Sequence, residues 1–301
     1  MPLLILLFGM FCGSLAVLFI KASETDPVLL SAYRLLLGGA CLIPLAWRAK
    51  RQHPDFRMTH PGRSVLLPAV FLAGHFISWI FGARLTPAAN ATLVVNMTPV
   101  VMPFVLFLSV REVLTRQEWL GTVIAISGVV MLGAADFTLS TQHAWGDIIC
   151  FVSMLLYSGY LGFGSRNRAI PSIYLYVVPV YLVAGLCCLG TAILFMPARG
   201  TVHWLGPDPV RELMLILALA LIPTVLGHSI INWAFKQFRG QVVSTLSLTQ
   251  FIFAGIIGYL VLGEKPTPAF YAAAILAAGG TMIVIRGRRR AAPPEPPDSR
   301  R

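Results

Sequence analysis

The chain of 301 residues is 57% hydrophobic and only 12% charged, with a mean hydropathy of +0.78. A soluble domain carries about 25% charged residues, so so low a charge content excludes a water-soluble globule and marks an all-α integral membrane protein. The net charge of +11 does not signal nucleic acid, because Lys and Arg sit in short segments between apolar runs, and the five cysteines lie inside those runs without CxxC or Cys/His metal spacing; no nucleic-acid partner, metal or other cofactor is expected.

Ten apolar runs approach the roughly 20 residues that a membrane helix needs. They fall at 3–21, 27–47, 65–83, 88–108, 119–135, 146–164, 172–196, 213–234, 241–262 and 269–286. The first lacks a basic n-region and a small-x-small cleavage site, so it reads as an uncleaved span. Span 2 carries Arg34, which is expected to snorkel to the interface or meet helix C-terminal carbonyls; its other reading is a charge partner for an anionic substrate. Span 3 holds Gly74-His75 and Trp79, and span 4 holds Thr92-Leu93 and Asn96. Pro99 and Pro103 in span 4 predict a kink that frees backbone carbonyls toward a cavity. Asp147 is expected to cap the start of span 6. Farther along that span, Tyr157, with Ser153 and Tyr160, is placed to reach the centre.

The second half repeats the first. Gly227-His228, Asn232, Thr245-Leu246 and Thr249 stand 153 residues after Gly74-His75, Trp79, Thr92-Leu93 and Asn96. Five spans is an odd number, so a directly duplicated five-span unit inserts in opposite orientations. The expected architecture is therefore ten transmembrane helices as two inverted five-helix repeats, 1–140 and 141–287, followed by a disordered basic, Pro-rich tail over 288–301. With both termini in the cytoplasm, the inner segments hold 17 of the 23 Lys and Arg residues and the outer ones five, the bias that sets topology.

Residues four apart share a helix face. His75 with Trp79, His228 with Asn232, Thr92 with Asn96, and Thr245 with Thr249 thus make four polar stripes. Lipid offers no hydrogen bonds, so the stripes turn inward. Together with Tyr157 and Gln250 they are the expected substrate-binding lining, and His75, His228 and Arg34 are the groups able to carry charge or protons. The bland reading of each residue is interhelical glue, worth about 0.6 kcal/mol. No residue is assigned to catalysis: the chain has no GxxxxGK[ST], HExxH or GxSxG motif. The runs Gly9-x-x-x-Gly13 and Ala272 to Gly280 permit close helix approach, within one subunit or in a homodimer.

The ten spans in two halves, the Tyr33-Arg34 pair, the TPAANATLVVNMTPV run, the Glu112 and Glu264 loops after spans 4 and 9, and the GHSIINWAF segment together resemble the drug/metabolite transporter superfamily, EamA type. The resemblance covers about residues 3–286. It implies a secondary transporter of the bacterial inner membrane, often an exporter of amino acids or other small metabolites, with the lipid bilayer and a small-molecule substrate as its partners. Relatives often carry a Glu-Pro pair midway along span 9, where this chain has Gln250-Phe251.

Overall fold

The computed structural model describes residues 1–58, 60–136, 141–195 and 204–288. The tail expected at 288–301 lies, beyond Arg288, outside them. Among the described residues the regular structure is entirely helical.

The helices in chain order are α1 (Pro2–Ala22), α2 (Pro27–Gln52), α3 (Gly62–Leu85), α4 (Ala88–Val110), α5 (Arg116–Asp136), α6 (Thr141–Arg166), α7 (Tyr174–Phe195), α8 (Pro209–Ala234), α9 (Gly240–Leu262) and α10 (Pro268–Arg288). Nine stretches among the described residues are long and apolar enough to cross a membrane. They cover every helix but α5, some of whose side chains fall outside the described set. The protein is therefore a multi-pass integral membrane protein. Large apolar side chains such as Leu4, Phe104, Leu108, Leu194, Leu260 and Ile275 are exposed, as a lipid-facing surface requires.

Local chemistry sets the helix ends. Asp26 accepts hydrogen bonds from the Val28 and Leu29 amides at 2.8 and 3.3 Å and is followed by Pro27, an N-cap before a proline in the first turn. At α5, Thr115 and Glu118 form a reciprocal capping box: the Thr115 amide donates to Glu118 Oε2 (2.7 Å) and the Glu118 amide to Thr115 Oγ1 (3.2 Å). Helix α6 begins at Thr141, earlier than expected, so Asp147 sits beyond its first turn and does not cap it.

The helices pack in a regular scheme. α1 lies against α8 and α3 against α6; α2 lies against α7, α4 against α9, and α5 along α10. Exchanging each helix of the first five with the one five places later returns the same set of contacts. Small residues allow the closest crossings. A Cβ on Gly227 would stand 3.0 Å from the Gly13 amide nitrogen, and one on Gly121 would stand 2.5 Å from the Gly280 carbonyl oxygen. Gly9, Gly13 and Gly280 thus serve contacts within one subunit, and the small-residue argument for a homodimer loses those positions.

Replacing Gly121 with Leu should force α5 off α10. Overpacking of this kind costs about 1–3 kcal/mol, so the purified variant should unfold at a lower temperature than the wild type. An unchanged unfolding temperature would contradict the described α5–α10 contact.

Candidate functional site

Besides α1, which is interrupted at Leu15, two helices do not cross uninterrupted. α4 is regular over Ala88–Val95, breaks at Asn96-Met97 and resumes at Thr98–Val110; α9 runs over Gly240–Ser247, breaks at Leu248 and resumes at Thr249. The α4 break has a covalent cause. Pro99 and Pro103 lack the amide hydrogens that regular helix would send to the carbonyls of Val95 and Pro99. The freed Pro99 carbonyl is met by Gln241 Nε2 of α9 at 3.3 Å, so it faces a neighbouring helix and not open space. The α9 break contains no proline. Around it, the hydroxyls of Thr245, Ser247 and Thr249 each bond back to a carbonyl three or four residues earlier, at 2.8, 2.6 and 2.8 Å, which competes with the helical ladder.

The two breaks meet. Gln250 Nε2 donates to Asn96 Oδ1 at 2.9 Å, and Asn96 Nδ2 donates to the Thr92 carbonyl at 2.9 Å. Beside this bridge lies a chamber lined by Arg34, His75, Trp79, Thr92, Asn96, Tyr157, His228, Ile231 and Gln250, with Gly13, Ala16 and Val95. Eight residues singled out from the sequence are thus brought together from six helices. Three are not. Asn232 ties α8 to α6 by donating to Tyr160 Oη at 2.7 Å, while Thr245 and Thr249 spend their hydroxyls on their own helix. None of the three lines the chamber.

The chamber walls are largely aromatic, with Arg34 as the cation among them. His75 stacks on Tyr157 (centroids 4.6 Å apart, 19° between planes), and His228 stands 6.2 Å from His75 and 5.6 Å from Tyr157. Ser153 Oγ donates to the His75 carbonyl at 2.9 Å and lies 2.8 Å from Nδ1. Nδ1 also lies 3.2 Å from the Ser153 carbonyl, which can only accept, so a protonated Nδ1 satisfies the set and leaves Nε2 as the acceptor nitrogen.

Arg34 overturns the snorkelling expectation. Its side chain is fully buried, and Nε donates to Thr224 Oγ1 at 3.0 Å; the guanidinium carbon sits 4.0 Å over the Phe76 ring. Pro223 explains why Thr224 is free to help. The proline cannot donate to the Leu219 carbonyl, the Ala220–His228 segment widens to π geometry, and Thr224 Oγ1 donates to that carbonyl at 3.0 Å. A cation–π contact is worth about 2 kcal/mol when desolvated, which offsets part of the about 2.5–3.5 kcal/mol that a charge within the bilayer costs.

Both ends of the bundle are tied by the same connections. At one end Glu264 accepts the Ala88 amide at the start of α4 (2.9 Å) and pairs with Lys21 (3.1 Å), while Arg84 donates to the Ser23 and Thr25 carbonyls between α1 and α2, both at 2.8 Å. At the other end Glu112 accepts the Gly240 amide at the start of α9 (3.1 Å) and pairs with Arg239 (3.6 Å), while Lys236 donates to the Ile170 and Pro171 carbonyls between α6 and α7. Both glutamates follow a left-handed residue, Gly263 (φ 71°) and Arg111 (φ 56°). Glu212 adds to the first end by accepting from Ser23 Oγ (2.6 Å), Thr25 Oγ1 (2.8 Å) and the Glu24 amide (2.8 Å). Glu118 adds to the second, 3.0 Å from Arg239. Burial holds the Glu112 carboxyl above its ordinary range, against the pull of Arg239 and Arg168.

A family model described as the EamA-like transporter family matches residues 1–134 and 144–286. The chain belongs to the EamA-like transporter family. It is a membrane transporter. Two relatives from Bacillus subtilis (strain 168) bear only general names: the uncharacterized transporter YdfC is 27% identical over 253 residues (80% of this chain, 76% of the relative), and the uncharacterized transporter YwfM is 21% identical over 271 residues (89% and 87%). A solved structure described only as the crystal structure of a protein superposes with a TM-score of 0.73 at 19% identity, over 96% of this chain and 99% of that one. It supports the fold alone.

Reading the EamA-type sequence flagged Glu112 and Glu264 as openers of polar loops but missed Glu118, Glu212 and the Thr224 partner of Arg34. The Thr115-x-x-Glu118 spacing was a readable signal for a capping box. Glu212 follows Asp208-Pro209, a helix-start pattern that places α8 earlier than its apolar run.

Replacing Arg239 with Ala leaves the buried carboxylates of Glu112 and Glu118 without this cation. Breaking a buried pair costs about 3 kcal/mol, so the variant should unfold at a lower temperature at neutral pH. The deficit should narrow as pH falls, because protonating Glu112, which burial already holds above its ordinary range, removes its uncompensated charge, and adding Glu112→Gln should restore part of it. A deficit independent of pH would contradict this account.

Proposed function

We propose that this transporter carries small metabolites, amino acids or related amines and aromatic compounds, by alternating access of two inverted five-helix repeats, residues 1–140 and 141–287. The observation that carries the reading is the chamber itself: it lies where the breaks of α4 and α9 meet, and both halves supply its lining. Midplane sites at broken helices are the recurring design of inverted-repeat transporters.

Size supports a cycle with at least one wider state. The chamber holds about 30 Å³, room for about two waters, whereas a small-molecule site takes about 300–1,000 Å³. Cargo therefore enters only after helices separate. The matched ties at the two ends are the natural places for that separation, one end releasing while the other holds. A larger recess of about 290 Å³ near Pro87, Asn90, Glu264 and Phe270 lies at the Glu264 end and shares no residue with the chamber.

The lining favours neutral or singly charged cargo. His75, Trp79, Tyr157 and His228 offer ring faces, and Thr92, Asn96 and Gln250 offer hydrogen bonds. No Asp or Glu lines the chamber, so neither histidine has an acid beside it of the kind hydrolytic sites use, and passage fits better than catalysis. The Lys and Arg distribution supports cytoplasmic termini; the bacterial inner membrane and export as the direction are what the family resemblance implies.

The test is a survey of metabolites in the medium with and without overexpression, followed by His75→Ala and His228→Ala at matched membrane levels. One compound should accumulate outside, and each substitution should lower its efflux at least about tenfold, the loss expected on removing a polar contact to cargo. Full efflux by both variants would remove the histidines from the site; no change in any compound would remove export.

A further inference from the structure

Two guanidinium nitrogens of Arg34 have no hydrogen-bond partner among the described residues. Its Nε is committed to Thr224 Oγ1 (3.0 Å), and Thr224 has spent its own proton on the Leu219 carbonyl, so the threonine can act toward Arg34 only as an acceptor. Phe76 supports one face of the guanidinium at 4.0 Å. Held by one nitrogen and one face, the group still has Nη1 and Nη2 buried without a hydrogen-bond partner. No Asp or Glu is among the chamber-lining residues, and Arg34 is the one Lys or Arg there.

We infer that the unpaired Nη1 and Nη2 of Arg34 form the carboxylate clamp of the transported molecule, and that the cargo is an organic monocarboxylate. Three features select that class. Two adjacent guanidinium nitrogens present parallel N–H groups, the geometry that matches a planar carboxylate at both oxygens. A single cation balances one negative charge, which disfavours phosphate esters. The stacked His75–Tyr157 pair and Trp79 give the rest of the molecule flat apolar surfaces, whereas an inorganic anion would leave those faces unused. The assignment deepens the transporter reading and rests on the same chamber.

Binding in detergent tests the inference separately from flux. The purified full chain is titrated with glycine, alanine, phenylalanine and phenylacetate, each beside its amide, and with chloride, following the unfolding temperature. At least one carboxylate should stabilise the wild type saturably, and its amide should bind at least about tenfold more weakly, the loss expected for a charge-assisted pair. Arg34→Gln should remove the difference between acid and amide, and Arg34→Lys should restore part of it. Equal effects of acid and amide, no effect of any carboxylate, or stabilisation by chloride as large as by the best carboxylate would each overturn the clamp, and these wild-type results stand even where a variant fails to fold. Proteoliposome uptake of the best binder then separates the two readings. Carboxylate binding without uptake keeps the clamp and sinks transport of that molecule, while uptake of an amide as fast as its acid keeps transport and sinks the clamp.

Discussion

Everything in this molecule depends on how backbone groups are satisfied where two membrane helices break. In a bilayer an interrupted helix leaves amides and carbonyls that no water will meet, so a break survives only if side chains from neighbouring helices or from the turn itself replace the lost bonds. Here α4 and α9 break side by side. Gln241 takes the carbonyl freed by Pro103, Asn96 returns a bond to its own helix, and Gln250 crosses between the two breaks. The chamber is the space beside that repair. Part of its polar lining follows from it, because Asn96 and Gln250 bridge the breaks and also line the chamber.

The second dependency is between the breaks and the ends. Glu264 caps the start of α4 and Glu112 caps the start of α9. Each glutamate follows the far end of the other broken helix, so α4 and α9 are bracketed reciprocally: the loop after one closes on the beginning of the other. A carboxylate on helix N-terminal amides is favoured by the helix dipole as well as by the hydrogen bond. Arg84 and Lys236 perform the same exchange, each binding carbonyls of the loop between the first two helices of its own half. Movement of α4 against α9 therefore loads both end clusters together, which links the centre of the membrane to its two faces without a long pathway of intermediate contacts.

Much of this was legible in the sequence, and what was not has a physical reason. The all-helical, multi-span architecture and the polar positions on spans 3 and 4 are carried by hydropathy and helical spacing, and hydropathy is the signal a bilayer imposes most strongly. The proline break in α4 was legible for the same local reason. The break in α9 was not, because it arises from three hydroxyls whose choice between solvent, cargo and backbone depends on neighbours. Thr245 and Thr249 share a face with chamber residues in a continuous helix, but their hydroxyls bond within their own helix and neither lines the chamber. Arg34 was misread because a cation about 10 Å into a span has a default route out along its own flexible stem. Only the fold reveals that Phe76 and Thr224 close that route.

Duplication supplied the frame, and departures from it supply the chemistry. The two histidines are repeat partners, and both reach the chamber. Arg34 and Thr224 have no such partners: their grip depends on Pro223, and position 70 in the first half holds Val. Matched end clusters suit a cycle in which equivalent contacts are made and broken alternately. A charge that existed in both halves would offer cargo two equivalent orientations, and each passage would have to choose between them. Under the proposed clamp and cycle, a single guanidinium fixed on α2 and α8 would keep a bound molecule in one orientation while the helices around it exchange roles. On that proposal the symmetry of the scaffold and the asymmetry of its charge would serve different requirements, one for moving the protein and one for holding what it carries.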